Sequence, residues 1–239
     1  WHLRTGAWMV EHGQIPHVDP FSLTRAGAPW TNFEWLYQLG VYGLHAAGGL
    51  SLVVLGHAAL ALIGFAGALR AVAPGTSASA RALAGALAAS TQFLYAFARP
   101  QAVTAALTGV YLALLGERQR MTAARAALVV GLQVLWVNCH GGYVFGLLLL
   151  ILWAVERSRV DGWAPEERRR EAGRAWALVL AAAAATLANP YGFHLLTHGV
   201  TELRSSYAAE RIVEWRATFA LPPAYAAPHV LTVFALGLV

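Results

Sequence analysis

Four short polar stretches and the N-terminal segment carry the side chains able to move protons or hold anions. Residues 136–142 read WVNCHGG and set Asn138 and His140 inside a run, 128–155, that has no Asp, Glu, Lys or Arg. ARPQ at 98–101 places Arg99 and Gln101 either side of Pro100, again within apolar sequence. NPYG at 189–192 contributes Tyr191, and IVEW at 212–215 contributes Glu214. The first 34 residues add His2, Asp19 and Glu34. A positioned carboxylate or imidazole takes a proton from a hydroxyl, while an Arg fork or the free N–H groups of a helix start hold phosphate oxygens. The set therefore offers general-base chemistry beside anion binding.

Each candidate also has a structural role open to it. Asp19 precedes Pro20, where an Asp accepts from nearby backbone N–H groups to make a turn; the other role is substrate or metal contact. Glu34 heads a helix, where a carboxylate complements the positive end of the dipole, or serves a site beside Trp35. His2 is a site residue or an interfacial anchor. Arg99 snorkels to a membrane interface or clamps a phosphate with Gln101. His140 closes a tight hairpin, or lets Gly141-Gly142 bring backbone N–H groups to an anion. No HxH, HxxxH or CxxC partner makes it a structural metal ligand. Asn189-Pro190 ends a helix, and Glu214-Trp215 lines a site or anchors at the interface.

The elements that position these residues follow from composition. The chain is 58% hydrophobic and 12% charged, with a mean hydropathy of +0.51; a soluble domain carries about 25% charged residues. Stretches such as 50–69 lack Asp, Glu, Lys and Arg and reach the roughly 18 apolar residues a bilayer crossing needs. The expected architecture is an all-α polytopic membrane bundle of about seven transmembrane helices. They fall near 50–70, 80–98, 101–116, 124–139, 143–156, 174–188 and from about 227.

Charge then sorts the loops. All 17 basic residues are Arg, and 11 of them gather at Arg70 and Arg81, at Arg118, Arg120 and Arg125, and from Arg157 to Arg174. Short loops rich in Arg stay cytoplasmic, so the alternating polar turns ARPQ, NCHGG and NPYG face outward. The net charge of +5 reflects this topology and not nucleic-acid binding. No glycine-rich phosphate loop with a Lys is present. Heavy Ala, Gly and Arg usage suggests a bacterial protein, here of the inner membrane. Its partners are membrane lipids, and the single Cys139 forms no internal disulfide.

Residues 1–48 read as an outer loop with interfacial helices, and 49–239 as the bundle, with a second outer loop over 190–226. Residues 35–47 span about 20 Å as helix against a core near 30 Å. They lie in the interface, or form a short span paired with 50–70 through Gly48-Gly49.

The layout WHLRTGAWMVEHGQIPHVDPFSLTRAGAPWTNFEWLYQ, followed in order by RPQ, NCHGG, NPYG and IVEW, resembles bacterial membrane glycosyltransferases of the GT-C superfamily, in a mannosyltransferase-like group. The resemblance implies transfer of a sugar from a polyprenyl-phosphate donor to an acceptor on the extracytoplasmic face. It also implies a site on the outer face, where the candidates read from the residues are Asp19 and Glu34 as carboxylates, neither at the superfamily's catalytic position, and His2, Arg99, Gln101, Asn138, His140, Tyr191 and Glu214 for substrate. Many members use a divalent cation. The principal carboxylate of the superfamily belongs just upstream of Trp1, so a first transmembrane helix and a C-terminal part are expected beyond this sequence. The rival expectation is a non-enzymatic lipid-carrier transporter or assembly subunit, which should pair ionisable residues inside spans; only His57 stands inside one.

Overall fold

A computed structural model describes residues 1–72, 76–80, 82, 85, 98–116, 121–160 and 163–203. Seven helices are described: α1 His2–His12, α2 Trp35–Ala71, α3 Gln101–Gly116, α4 Ala123–Cys139, α5 Tyr143–Arg159, α6 Pro165–Ala185 and α7 His194–Leu203. Among the described residues the only β pairing is an isolated bridge, Val18 to Pro29. The all-α expectation therefore holds. Most of the expected helix at 80–98, the helix from about 227 and Glu214 lie outside the described residues.

The expected count of seven spans is not reproduced. Among the described helices only α2 is long and apolar enough to cross a membrane, and α3 and α4 are apolar but shorter. α6 starts well before the expected 174, because Pro165 sits in its first turn with Glu166 and Glu167 beside it. Proline at the first helical position and acidic residues near the positive dipole end start a helix well, so the Arg-rich segment is helical rather than loop. The expected outer loop at 190–226 contains α7.

α2 is bent back on itself. Gly48 and Gly49 leave helical geometry, Gly49 with φ 66° and ψ −162°, a region open mainly to glycine. In a straight helix Tyr37 and His57 would be roughly 30 Å apart. Instead the Tyr37 hydroxyl lies 3.0 Å from His57 Nε2, and Leu44 packs over Gly56. Residues 35–47 thus pair with 50–71 through Gly48-Gly49, the contact expected of a helical hairpin. α1 lies on the first arm, where Gly6 meets the Gln38 carbonyl and Tyr42.

The second arm of α2 and α3 run in the same direction at close range. A Cβ at Gly64 would meet the Ala105 carbonyl oxygen at 2.6 Å, and one at Gly109 would strike the Gly64 backbone. Small residues of this kind let backbones approach in membrane-type packing. α3, α4, α5 and α6 then alternate in direction. Tyr111 of α3 reaches Val129 and Gln133 of α4, Gln133 donates to the Tyr143 carbonyl of α5, and Trp176 of α6 donates to Ser158. The alternation puts Arg125, Arg157, Arg159 and Arg168–Arg170 at one end and the turns at 98–101, 139–142 and 186–192 at the other.

Polar side chains occupy the interior, including Thr5, Asn32, Gln38 and Gln133, all nearly inaccessible. Large apolar side chains face outward, among them Leu55, Leu62, Leu128, Val144, Leu152 and Leu180. Large apolar side chains exposed on several helices are what contact with lipid or another protein requires.

Candidate functional site

The site forms where the polar end of the bundle meets the segment joining α1 to α2. Residues 17–30 fold as a narrow loop: Asp19 N–H donates to the Ala28 carbonyl, Gly27 N–H to the Asp19 carbonyl, and Trp30 N–H to the His17 carbonyl. Asp19 is used up locally. Its Oδ1 accepts from the N–H groups of Phe21 and Ser22, and its Oδ2 accepts from the Ser22 hydroxyl. These bonds, the Ser22 hydroxyl first, hold its carboxyl below the usual range. The DPFS stretch is a carboxylate-closed turn.

Residues 31–38 are clamped from three directions. Asn32 N–H donates to the Tyr191 hydroxyl over 2.8 Å, and its side-chain amide donates to Gln38 Oε1 over 2.9 Å. The Trp35 indole donates to Asn138 Oδ1 over 2.8 Å. Asn138 in turn donates to the carbonyls of Val134 and Ala188, both at 2.8 Å. Asn138 and Tyr191 thus lock the three polar segments together, the amide of Asn138 paired at both its oxygen and its nitrogen and the Tyr191 hydroxyl accepting from Asn32. A groove of about 650 Å³ runs beside this tie, between Trp35, Leu135, Asn138, Ala188 and Pro190.

The clamp fixes Glu34. It occupies the N-cap position of α2, yet its side chain makes no capping bond. One oxygen, Oε2, lies 3.8 Å from His2 Nδ1, and the other, Oε1, lies 4.0 Å from His140 Nε2. All three side chains are about one-fifth exposed. Burial pushes the Glu34 carboxyl up to about 7. Burial likewise pulls His140 down to about 4. His2 falls to about 4 as well, from burial first, with the positive charge of Arg99 adding to it. Neither contact is short enough for a hydrogen bond, and burial drives all three groups toward neutrality rather than into an ion pair.

A carboxyl that titrates near neutrality, held between two neutral imidazoles, is poised for general-base work. Arg99 is exposed at the start of α3 and close enough for its charge to depress His2. Gln101 begins the helix, and its Oε1 is buried without a hydrogen-bond partner. The structure therefore brings His2, Glu34, Arg99 and His140 together, with Gln101 one turn of α3 from Thr104. It leaves Asp19 in a turn and gives Asn138 and Tyr191 structural tasks.

Sequence reading passed over several contributors. Thr104 contacts His140 and accepts from the Trp136 indole, and Tyr37 joins His2, through an edge-on ring contact at 5.2 Å, to His57. The one signal for Thr104 was its place a turn inside the helix that follows ARPQ. His194 and His198 do make an HxxxH pair on α7, with ring centroids 6.3 Å apart. Among the described residues, however, no three His, Cys, Asp or Glu side chains converge to hold a metal ion. No family model, curated protein or solved structure matches the chain.

Proposed function

We propose that this chain belongs to a membrane glycosyltransferase of the GT-C type, and that Glu34 is the general base for the acceptor. The observation that carries the reading is the Glu34 carboxyl itself, buried between His2 and His140 and raised to about 7. In the reaction the acceptor hydroxyl gives its proton to Glu34 as its oxygen forms a bond to the sugar's anomeric carbon. The bond from that carbon to the phosphate oxygen breaks, and polyprenyl phosphate leaves with the electron pair. Arg99 faces the growing phosphate charge. His2 and His140, neutral at pH 7, support the carboxylate without neutralising it.

The outward-facing apolar side chains and the helix α2 support embedding in a bilayer. The end-to-end segregation of Arg supports a cytoplasmic Arg end and an extracytoplasmic site. The resemblance also implies a carboxylate upstream of Trp1.

The test is transfer from a radiolabelled polyprenyl-phosphate hexose to endogenous acceptors in isolated membranes. Glu34→Gln is expected to lower the rate by at least roughly 100-fold, and Asp19→Asn by less than about threefold because its carboxylate only closes a turn. Full activity in Glu34→Gln would exclude it as the base. The amide variant of any upstream carboxylate is measured alongside.

A further inference from the structure

Three helices meet at His140, and each supplies it or its partner with a contact. Thr104, one turn into α3, has its Oγ1 2.7 Å from His140 Nδ1. Trp136 of α4, which is fully buried, donates its indole N–H to the same Oγ1 over 3.0 Å. An indole N–H only donates, so the Thr104 oxygen is the acceptor there and its own proton is free to go to Nδ1. Gly142, at the start of α5, donates its backbone N–H to Nδ1 over 3.1 Å. With two donors directed at it, Nδ1 carries the lone pair. The ring proton then sits on Nε2, the nitrogen that faces Glu34 Oε1. Packing holds the arrangement, since a Cβ at Gly142 would collide with Thr104 Oγ1 and lie 2.9 Å from Nδ1.

The geometry points to Thr104 as a positioning residue that, with the Gly142 N–H, locks His140 in its Nε2–H tautomer, so that Glu34 Oε1 faces a donor and Oε2 is left to take the proton. This rests on the reading of Glu34 as the base. Oε2 lies on the side of His2 Nδ1, a buried atom with no hydrogen-bond partner, and the acceptor hydroxyl enters there. Its proton passes to Oε2, while His140 keeps its own. The 4.0 Å gap between Nε2 and Oε1 is longer than a hydrogen bond; catalytic contacts of this kind tighten when substrate binds.

The experiment is nitrogen NMR of protein labelled with ¹⁵N-histidine in detergent micelles at pH 7, with the His140 signals identified by their loss in His140→Gln. In the wild type and in Thr104→Ser, Nδ1 is expected unprotonated and Nε2 protonated. In Thr104→Val a population with the proton on Nδ1 should appear, and kcat for transfer from a polyprenyl-phosphate hexose should fall roughly 10-fold at unchanged KM, with recovery in Thr104→Ser. A wild-type His140 protonated on Nδ1 overturns the inference, as does a Thr104→Val protein that folds and keeps the wild-type tautomer and kcat. The two layers separate cleanly. A Nδ1 proton together with an inactive Glu34→Gln variant removes the lock and leaves the base. An active Glu34→Gln variant with the Nε2–H tautomer in place removes the base, and with it the role of Oε2.

Discussion

Replacing Glu34 with Gln should make the protein more stable above neutral pH. The carboxyl is held at about 7 in the fold, against 4.5 for the free group, because of burial. The folded chain therefore binds a proton that the unfolded chain has released between pH 4.5 and 7. Stability contributed at this site is lost as pH rises through that window, and the full loss is reached above pH 7. At about 1.4 kcal/mol for each unit of pKa, the buried carboxylate costs up to roughly 3 kcal/mol at pH 8. Glutamine keeps the shape and never ionises, so Glu34→Gln should exceed the wild type by up to about 3 kcal/mol at pH 8. The difference should shrink below about 1 kcal/mol at pH 5, where Glu34 is protonated in the fold. For a chain of this size the gain at pH 8 corresponds to roughly 6–12 °C in Tm. His2 and His140 titrate in both proteins and cancel in the comparison. The assay is thermal unfolding of both proteins in one detergent, at one scan rate, from pH 5 to pH 8.5. A difference between the curves that does not change with pH would refute the assignment of a buried, raised carboxyl. Stabilisation accompanied by loss of transfer is the signature of a group kept for chemistry at the expense of the fold.

Three further outcomes follow from particular contacts. The two histidines oppose Glu34: both are pulled from 6.5 to about 4, so the stability they provide is lost as pH falls from 6.5 to 4. His140→Gln should reduce the acid-induced drop in unfolding free energy across that window by up to about 3 kcal/mol, read from the pH slope of the midpoint rather than from its absolute value. Gly109→Val would drive side-chain atoms into the Gly64 backbone and should lower stability by about 1–3 kcal/mol, measured by thermal unfolding, while Gly131→Val, with open space at its Cβ, should fall short of that loss. Asn138→Ala removes the acceptor of the Trp35 indole and the donor to Val134 and Ala188; a loss of about 1–3 kcal/mol is expected, with Trp35 fluorescence shifted toward that of a solvated indole.

Much of the architecture was legible one segment at a time. Apolar runs bounded by Gly, Pro and Arg predicted α3 and α4 almost to the residue and the start of α5, which runs on to Arg159, because a helix end is set by local capping and by where polar sequence resumes. The role of Asp19 was equally local: its partners are Phe21 and Ser22, so DPFS contains its whole explanation. The alternation of Arg-rich and polar turns likewise placed ARPQ, NCHGG and NPYG at one end, since short antiparallel connections leave the chain little choice. α6 was misjudged at its start because PEERRRE was read for charge and not for its strong helix-starting pattern.

What the chain alone could not decide was which polar residue does which task. Asp19 and Glu34 lie in the same loop with similar local claims, yet Glu34 finds its neighbours at residues 2 and 140, and no local pattern encodes contacts that distant. The same holds for Asn138 and Tyr191, whose side chains resemble site residues in sequence and are spent in the fold on Trp35 and Asn32. The reversal at Gly48-Gly49, which sets Tyr37 against His57, depends on which side chains the two arms bury against each other and not on the glycines alone. Sequence thus determined the helices, the sorting of their ends and the turn at Asp19, all products of short-range propensity and solvent preference. Tertiary packing decided the burial of one carboxyl between two imidazoles, because desolvation is a property of everything that surrounds a group and of nothing in the group itself.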